Sequence, residues 1–111
     1  MQEEDIHAQW EAMKQKIESR IGKRPKDLNA VLYLIGLQEL GQVKRFDRDQ
    51  KQDLINLGLT TILSLGGFFT FSHRDDEGWP HYTQQKLLDK VDLKNQVRLI
   101  KSLCVRYFEN V

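Results

Sequence analysis

The stretch LNAVLYLIGLQELGQV, residues 28–43, is apolar on nearly every side in its first half. A helix with that pattern has no polar face to offer to water, so we expect it in the middle of a fold. Pro25 suits the first position of this helix, with Asp27 in the same turn. Gly41 is placed to end it, since glycine accepts the left-handed backbone conformation common at helix C-termini.

The first helix of the chain is predicted before this central one, which is the second, and runs from about Glu3 to Arg20, with Gly22 as the residue that ends it. Its apolar residues recur at spacings of three and four and form one narrow stripe on an otherwise polar helix. A helix with so narrow a stripe packs on the outside of a bundle. The stripe consists of Ile6, Trp10, Met13, Ile17 and Ile21.

A third helix begins at the sequence DRDQ, where Asp47 can cap it and Gln50 can complete a capping box, and runs to about Gly66. Gly58 lies on its broad apolar face and would let another helix approach closely. That face consists of Leu54, Ile55, Gly58, Leu59, Ile62 and Leu65.

The last helix is predicted from a cap at Asp92 to about Glu109, and residues 83–91 fit a short additional helical segment. An apolar stripe along the last helix would face the core. It consists of Val97, Ile100, Cys104 and Phe108, broadened by Leu93, Leu103 and Tyr107.

The aromatic region between the third and last helices has two interpretations. Residues 68–72 fit either a frayed last helical turn or one arm of a β-hairpin that turns at residues 74–78 and returns through Trp79. The sequence therefore predicts an all-α fold. We expect a single domain, residues 1–111, built as a small bundle of four to five helices with a short β-hairpin or irregular aromatic loop at 68–82.

Charge and composition narrow the class of protein. Seventeen basic and sixteen acidic residues give a net charge of +1. This removes the strongly basic surface on which nucleic-acid binding depends, so no nucleic-acid partner is expected. The N-terminal residues contain no apolar segment typical of a secretory signal. The one cysteine, Cys104, cannot form an internal disulfide, which favours the reducing cytoplasm.

One uncharged segment, residues 54–72, is about long enough to span a bilayer. Asn56, Thr60 and Ser64 recur every four residues within it and would give a helix a polar seam, so no membrane partner is expected. An uncharged seam of small residues suits close packing against another helix, from the same bundle or from a second copy. The seam therefore predicts a homodimer, with packing of the first helix over the seam as the alternative.

The sequence SHRDDEGWPHY, residues 72–82, concentrates polar and aromatic side chains. The run Asp-Asp-Glu-Gly is common turn chemistry, with Gly78 at positive φ. Aromatic residues on both sides of it would fold back over one end of the bundle as a lid. The polar tips of the lid would point outward as a candidate binding surface. Together with the glutamate of the second helix, that surface comprises His73, Asp75, Asp76, Trp79, His81, Tyr82 and Glu39.

The same loop allows a metal site as an alternative, because zinc and iron are bound by two histidines and a carboxylate in many proteins. The ligands would be His73, Asp75 and His81, although their spacing matches no established metal-binding motif. Glu39 lies where the second helix turns from apolar to polar, either at a wet helix end or in a polar pocket with acid–base capacity. No catalytic residue and no cofactor is assigned.

The sequence therefore favours a small soluble protein of bacterial type that acts without catalysis, by binding or by self-association. The expected partners are a second copy and a protein or small molecule that the sequence does not identify. The alternative is a small metalloprotein or enzyme that uses the loop from His73 to His81 together with Glu39.

Overall fold

A computed structural model of the chain describes residues 3–42, 44–88 and 93–110. Within them lie four helices and one β-hairpin. The fold is therefore mostly helical, as predicted, but it is not the purely all-α class that the sequence favoured. The hairpin alternative for the aromatic region is the one observed. The elements are α1 (Glu3–Ile21), α2 (Leu28–Leu40), α3 (Arg48–Leu65), β1 (Phe69–Arg74), β2 (Pro80–Gln84) and α4 (Leu93–Glu109).

Helices α2 and α3 form the most extensive helix pair, and two glycines set their distance. A Cβ atom on Gly58 of α3 would lie 2.0 Å from the carbonyl oxygen of Leu32 on α2. A Cβ atom on Gly36 of α2 would lie 2.1 Å from the carbonyl oxygen of Leu54 on α3. Each helix thus places its backbone against a glycine of the other, which confirms the close approach predicted at Gly58.

The core consists of two apolar clusters, to both of which α2 and α3 contribute. The larger joins all four helices, whereas the smaller lies where α2, the loop after it and the first half of α3 meet the hairpin. The buried members of the larger cluster are Trp10, Met13, Ile17, Val31, Leu32, Ile35, Ile62, Leu63, Leu103, Cys104, Val105 and Tyr107. Those of the smaller cluster are Leu40, Phe46, Leu54 and Leu57.

Four of the six residues that the apolar spacing predicts to be buried, Leu32, Ile35, Ile62 and Cys104, are buried. Leu59 and Ile100 are half-buried rather than buried. The last residue of the α1 stripe, Ile21, is 55% exposed, so its predicted place in the core is wrong. It is the final residue of α1, and α1 packs chiefly on α4.

The helix ends follow the predicted chemistry at three of four places. Asp47 and Gln50 form the capping box, with N···O distances of 2.8 and 3.0 Å. Gly22 and Gly41 both have positive φ angles at the ends of α1 and α2. The start of α2 is the exception, because the helix begins after Asp27 and not at Pro25. The Asp27 carboxylate accepts the amide of the third helical residue at 2.9 Å, so Asp27 is the cap itself.

The short helix predicted over residues 83–91 is also wrong where the structure describes it. Residues 83 and 84 belong to β2, where Thr83 pairs with Thr70 and Gln84 with Phe69. These backbone bonds hold the chain extended, and residues 85–88 are not helical. The remainder, together with the predicted cap at Asp92, lies outside the described residues.

The uncharged segment 54–72 is divided between α3, a turn and β1. No helix in the described part of the chain is long and apolar enough to cross a membrane.

Candidate binding site at the hairpin

Asp75 builds the turn of the hairpin. Its carboxylate oxygen Oδ1 accepts the backbone amides of Glu77 at 2.9 Å and Trp79 at 3.0 Å. The amide of Gly78 donates to the Asp75 carbonyl at 2.9 Å, and Gly78 has the positive φ angle (+88°) that the sequence predicted. The Asp-Asp-Glu-Gly run is therefore a turn in which one aspartate side chain satisfies the backbone of the loop.

Two polar side chains fasten this turn to the end of α2. The guanidinium of Arg74 donates to the carbonyl of Glu39 and to that of Gly78, both at 2.9 Å. The amide of Gln42 donates to the Glu77 carbonyl at 2.7 Å. A cation at a helix C-terminus is stabilised by the helix dipole as well as by its hydrogen bonds. The hairpin thus has a defined position on the bundle.

Two aromatic residues of the hairpin, Trp79 and Tyr82, pack inward as the lid interpretation requires. Trp79 and Tyr82 are half-buried against the smaller apolar cluster. The Tyr82 hydroxyl lies 3.4 Å from the hydroxyl of Thr61 on α3. Phe71 contacts the edge of the Tyr82 ring, with ring centroids 5.8 Å apart, but remains 53% exposed. Apolar contacts therefore add to the polar ones that hold the hairpin.

We expect the substitution Trp79→Ala to lower the free energy of unfolding by more than about 1 kcal/mol, because a buried aromatic side chain contributes roughly 1.5–3 kcal/mol. His73→Ala and His81→Ala, at exposed positions, should stay within about 0.5 kcal/mol of the parent protein. Urea unfolding followed by circular dichroism measures all three, and metal analysis of the purified proteins accompanies it. An unaffected Trp79→Ala protein, with stoichiometric zinc or iron lost in both histidine variants, would replace the lid with a metal site.

The two histidines of the loop stack on each other. An extra residue in β1, Ser72, shifts the strand register so that His73 faces His81. The imidazole rings are nearly parallel, with an angle of 5° and centroids 4.9 Å apart. The Nε2 atom of His81 lies 2.8 Å from the Asp75 carboxylate, and the Nδ1 atom of His73 lies 2.8 Å from the Ser72 hydroxyl.

This arrangement divides the parts of a hydrolytic triad between two rings. The carboxylate of Asp75 orients one imidazole, whereas the Ser72 hydroxyl lies on the other, and stacked rings pass no proton along their faces. The hydrogen bond from His81, joined by those from the Trp79 and Glu77 amides, holds the pKa of Asp75 below its usual value. The geometry therefore fixes the side chains of the loop without assembling a nucleophile.

The metal alternative finds little support in the same geometry. The lone pairs of an imidazole lie in the plane of its ring, so two stacked rings do not direct them at one point. Among the described residues no group of three histidine, cysteine or acidic side chains is arranged to hold a metal ion.

Glu39 has a separate role from the histidines. Its carboxylate accepts the hydroxyl of Tyr107 on α4 at 2.6 Å, and only its backbone carbonyl bonds to the hairpin. Burial raises the pKa of the Tyr107 hydroxyl, and the neighbouring Glu39 and Tyr82 raise it further. The Glu39 carboxylate, the polar group predicted on α2, is therefore occupied by a hydrogen bond within the bundle. Cys104 is fully buried, and burial raises the pKa of its thiol to about 12, which suits an inert core residue.

A cleft with a volume of about 460 Å³ lies between the hairpin and α3. Four of the seven predicted surface residues line it, namely Asp75, Trp79, His81 and Tyr82, whereas His73, Asp76 and Glu39 do not. The opposite wall was not predicted and contains Asp53, Asn56 and Thr60 of α3. Two residues of this wall, Asn56 and Thr60, belong to the uncharged seam that the sequence analysis had assigned to packing between helices.

Comparison of the chain with protein-family models, with curated proteins and with solved structures finds no match. Function must therefore be inferred from the residues themselves.

Proposed function

We propose that the protein is a non-catalytic binding module that accepts a basic side chain of a partner protein in the cleft between the hairpin and α3. The observation that carries this proposal is the chemistry of the cleft lining. The lining includes two carboxylates, Asp53 and Asp75, and the rings of Trp79 and Tyr82, but neither lysine nor arginine among the described residues. Such a lining favours a lysine or arginine side chain over an acidic one.

The two carboxylates differ in their availability. Asp75 is engaged by the turn and by His81, so it contributes charge but few free lone pairs. Asp53 is exposed, and no described residue forms an ion pair or hydrogen bond with its carboxylate. A guanidinium in the cleft could bond to Asp53 and stack on Trp79, a contact worth about 0.5–1 kcal/mol at an exposed site.

A binding role fits the hairpin better than catalysis does. The bonds from Arg74 and Gln42 hold the cleft in one shape before any partner arrives, which reduces the entropy lost on binding. The catalytic alternative needs Glu39 beside the histidines, but the Glu39 carboxylate is bound to Tyr107 instead. We place the module in the cytoplasm, because its one thiol, Cys104, is unpaired.

The test is a titration of the ¹⁵N-labelled protein with the blocked tripeptide acetyl-Gly-Arg-Gly-amide, followed by nuclear magnetic resonance. We expect saturable shifts of the Trp79 indole signal and of the backbone amides of Thr60 and Tyr82. The substitution Asp53→Asn should weaken binding by about threefold or more, the size expected for one exposed ion pair. Asp49→Asn, which removes the same charge from an exposed position of the same helix outside the cleft, should leave the affinity unchanged.

Equal binding of the tripeptide in which glutamine replaces arginine would contradict a site for a basic side chain. So would equal losses of affinity in the Asp53 and Asp49 variants, because they would indicate only a general effect of charge.

Self-association is the second candidate, and the uncharged seam on α3 favours it. Asn56 is exposed and Thr60 is half-buried, and the hairpin rather than α1 lies beside the middle of the seam. We expect a homodimer at micromolar concentration with the seam near its interface. Sedimentation equilibrium measures this directly, and a monomer alone at high protein concentration would rule the dimer out.

A further inference from the structure

A second cavity lies away from the hairpin cleft and has the opposite charge. Helix α1 packs chiefly on α4, and α2 packs chiefly on α3, which leaves a groove between the C-terminal halves of α1 and α2. Its volume is about 610 Å³, within the range of about 300–1,000 Å³ that is typical of small-molecule sites. Phe108 of α4 and Phe46 of the α2–α3 loop contribute to its lining.

Apolar side chains from both helices form the walls of the groove. Ile17 and Ile21 come from α1, and Leu34 and Leu37 come from α2. Ile21 is the isoleucine that the apolar stripe placed in the core, yet it is 55% exposed at this groove. A ligand with an apolar body would cover it and remove that surface from water.

The charged residues of the lining are all cations. They are Lys16, Arg20 and Lys44, and no aspartate or glutamate is among the described residues that line the groove. The Lys16 ammonium donates to the carbonyl of Phe108 at 2.9 Å. That of Lys44 lies 5.6 Å from the centre of the Phe46 ring. These contacts fix two positive charges at the groove, one at the backbone carbonyl of Phe108 and one near the ring of Phe46.

Three carboxylates of α1 and α2 are engaged elsewhere. Glu11 pairs with Lys14 and Arg24, and Glu18 also pairs with Arg24. The carboxylate of Glu39 on α2 accepts the hydroxyl of Tyr107. These three carboxylates therefore do not pair with Lys16 or Lys44.

We propose that this groove binds an anionic amphiphile, a small molecule with a carboxylate or similar anionic head on an alkyl chain. The chain lies along the leucine and isoleucine walls, and the head lies near Lys16 or Lys44. This site is independent of the hairpin cleft, so failure of either proposal leaves the other intact.

The experiment uses dodecanoate below the concentration at which it forms micelles, with dodecyltrimethylammonium as the ligand of equal chain length and opposite charge. Isothermal titration calorimetry should show one saturable site for dodecanoate and binding of the ammonium compound weaker by about tenfold or more. Shifts of backbone amide resonances should be confined to the groove. Equal affinity for both head groups, or shifts centred on the hairpin, would overturn the proposal.

Substitutions in the groove test the contributions of the anionic head and of the alkyl chain separately. The double substitution Lys16→Gln and Lys44→Gln should weaken dodecanoate binding by about tenfold or more, since the cation near the head is lost whichever of the two lysines holds it. Ile21→Ser, at an exposed position where folding is unaffected, should weaken it by about threefold through lost apolar contact. Lys51→Gln, an exposed cation of α3 outside the groove, should change nothing. Unchanged affinity in both groove variants would contradict the site.

A last arm distinguishes a free amphiphile from a lipid surface. The protein is mixed with vesicles of neutral phospholipid and with vesicles containing one quarter anionic phospholipid. Binding to dodecanoate monomers without binding to either vesicle supports the proposal. Binding to anionic vesicles without binding to the monomer would overturn it and assign the groove to a membrane surface.

Discussion

Replacing Gly58 with alanine is expected to lower the free energy of unfolding by at least about 3 kcal/mol, the upper part of the range for overpacked cores. The added Cβ would lie 2.0 Å from the Leu32 carbonyl oxygen, and the next two nearest atoms are also backbone atoms of Leu32. Backbone cannot rotate away as a side chain can, so α2 and α3 would have to separate. Urea unfolding followed by circular dichroism measures the effect.

The test is strict because the effect expected at Gly58 is opposite in sign to the usual effect of replacing a helical glycine with alanine. In an exposed helix interior, the same substitution stabilises a protein by up to about 1 kcal/mol, because alanine is the better helix former. Gly66 provides the matched control at the end of α3, since a Cβ there would meet only side-chain atoms of Phe68 and Leu103, at 3.2–3.3 Å. Gly66→Ala should therefore cost less than about 1 kcal/mol. A stable Gly58→Ala protein would show that the two helices are not in close contact at this point.

Gly36→Ala should behave like Gly58→Ala, because its Cβ would meet the Leu54 carbonyl oxygen at 2.1 Å. The two contacts share one helix interface. Once either substitution has separated the helices, the second should cost less than it does alone.

Local chemistry explains which parts of the fold were predictable. The capping box of Asp47 and Gln50 involves residues three apart, so their types and spacing suffice to predict it. The glycines that end α1 and α2 are recognised in the same way. The close approach at Gly58 was predictable because this glycine lies on the one apolar face of its helix. Gly36 lies in a helix that is apolar on nearly every side, so the sequence does not show which side of that helix a neighbour would contact.

Most errors arose where longer-range contacts decide, but the start of α2 is a local one. Pro25 suits a first helical position, yet Asp27, whose side chain accepts the amide three residues on, defines the start. The strand at residues 83 and 84 exists through pairing with Phe69 and Thr70, which no local pattern reveals. Ile21 continues the period of its stripe beyond the point where α1 has a neighbour to pack on.

The candidate site shows the same division. The turn chemistry around Asp75 and the inward packing of Trp79 and Tyr82 follow from residue types within one loop. The wall from α3, with Asp53, is about twenty residues away along the chain. The docking of the hairpin, through Arg74 on the end of α2 and through the packing of Trp79 and Tyr82, brings the two together in one cleft.

Replacing Ile62 with alanine is the second change expected to have a large effect. Ile62 is fully buried in the larger cluster, so the substitution leaves a cavity and should lower the free energy of unfolding by about 2–5 kcal/mol. Ile21→Ala is the matched control, since it removes the same atoms from a residue that is 55% exposed, and it should change stability by no more than about 0.5 kcal/mol. Both values come from urea unfolding. Equal losses for the two variants would mean that Ile21 is buried in solution. No loss at Ile62 would mean that α3 turns a different face toward the core.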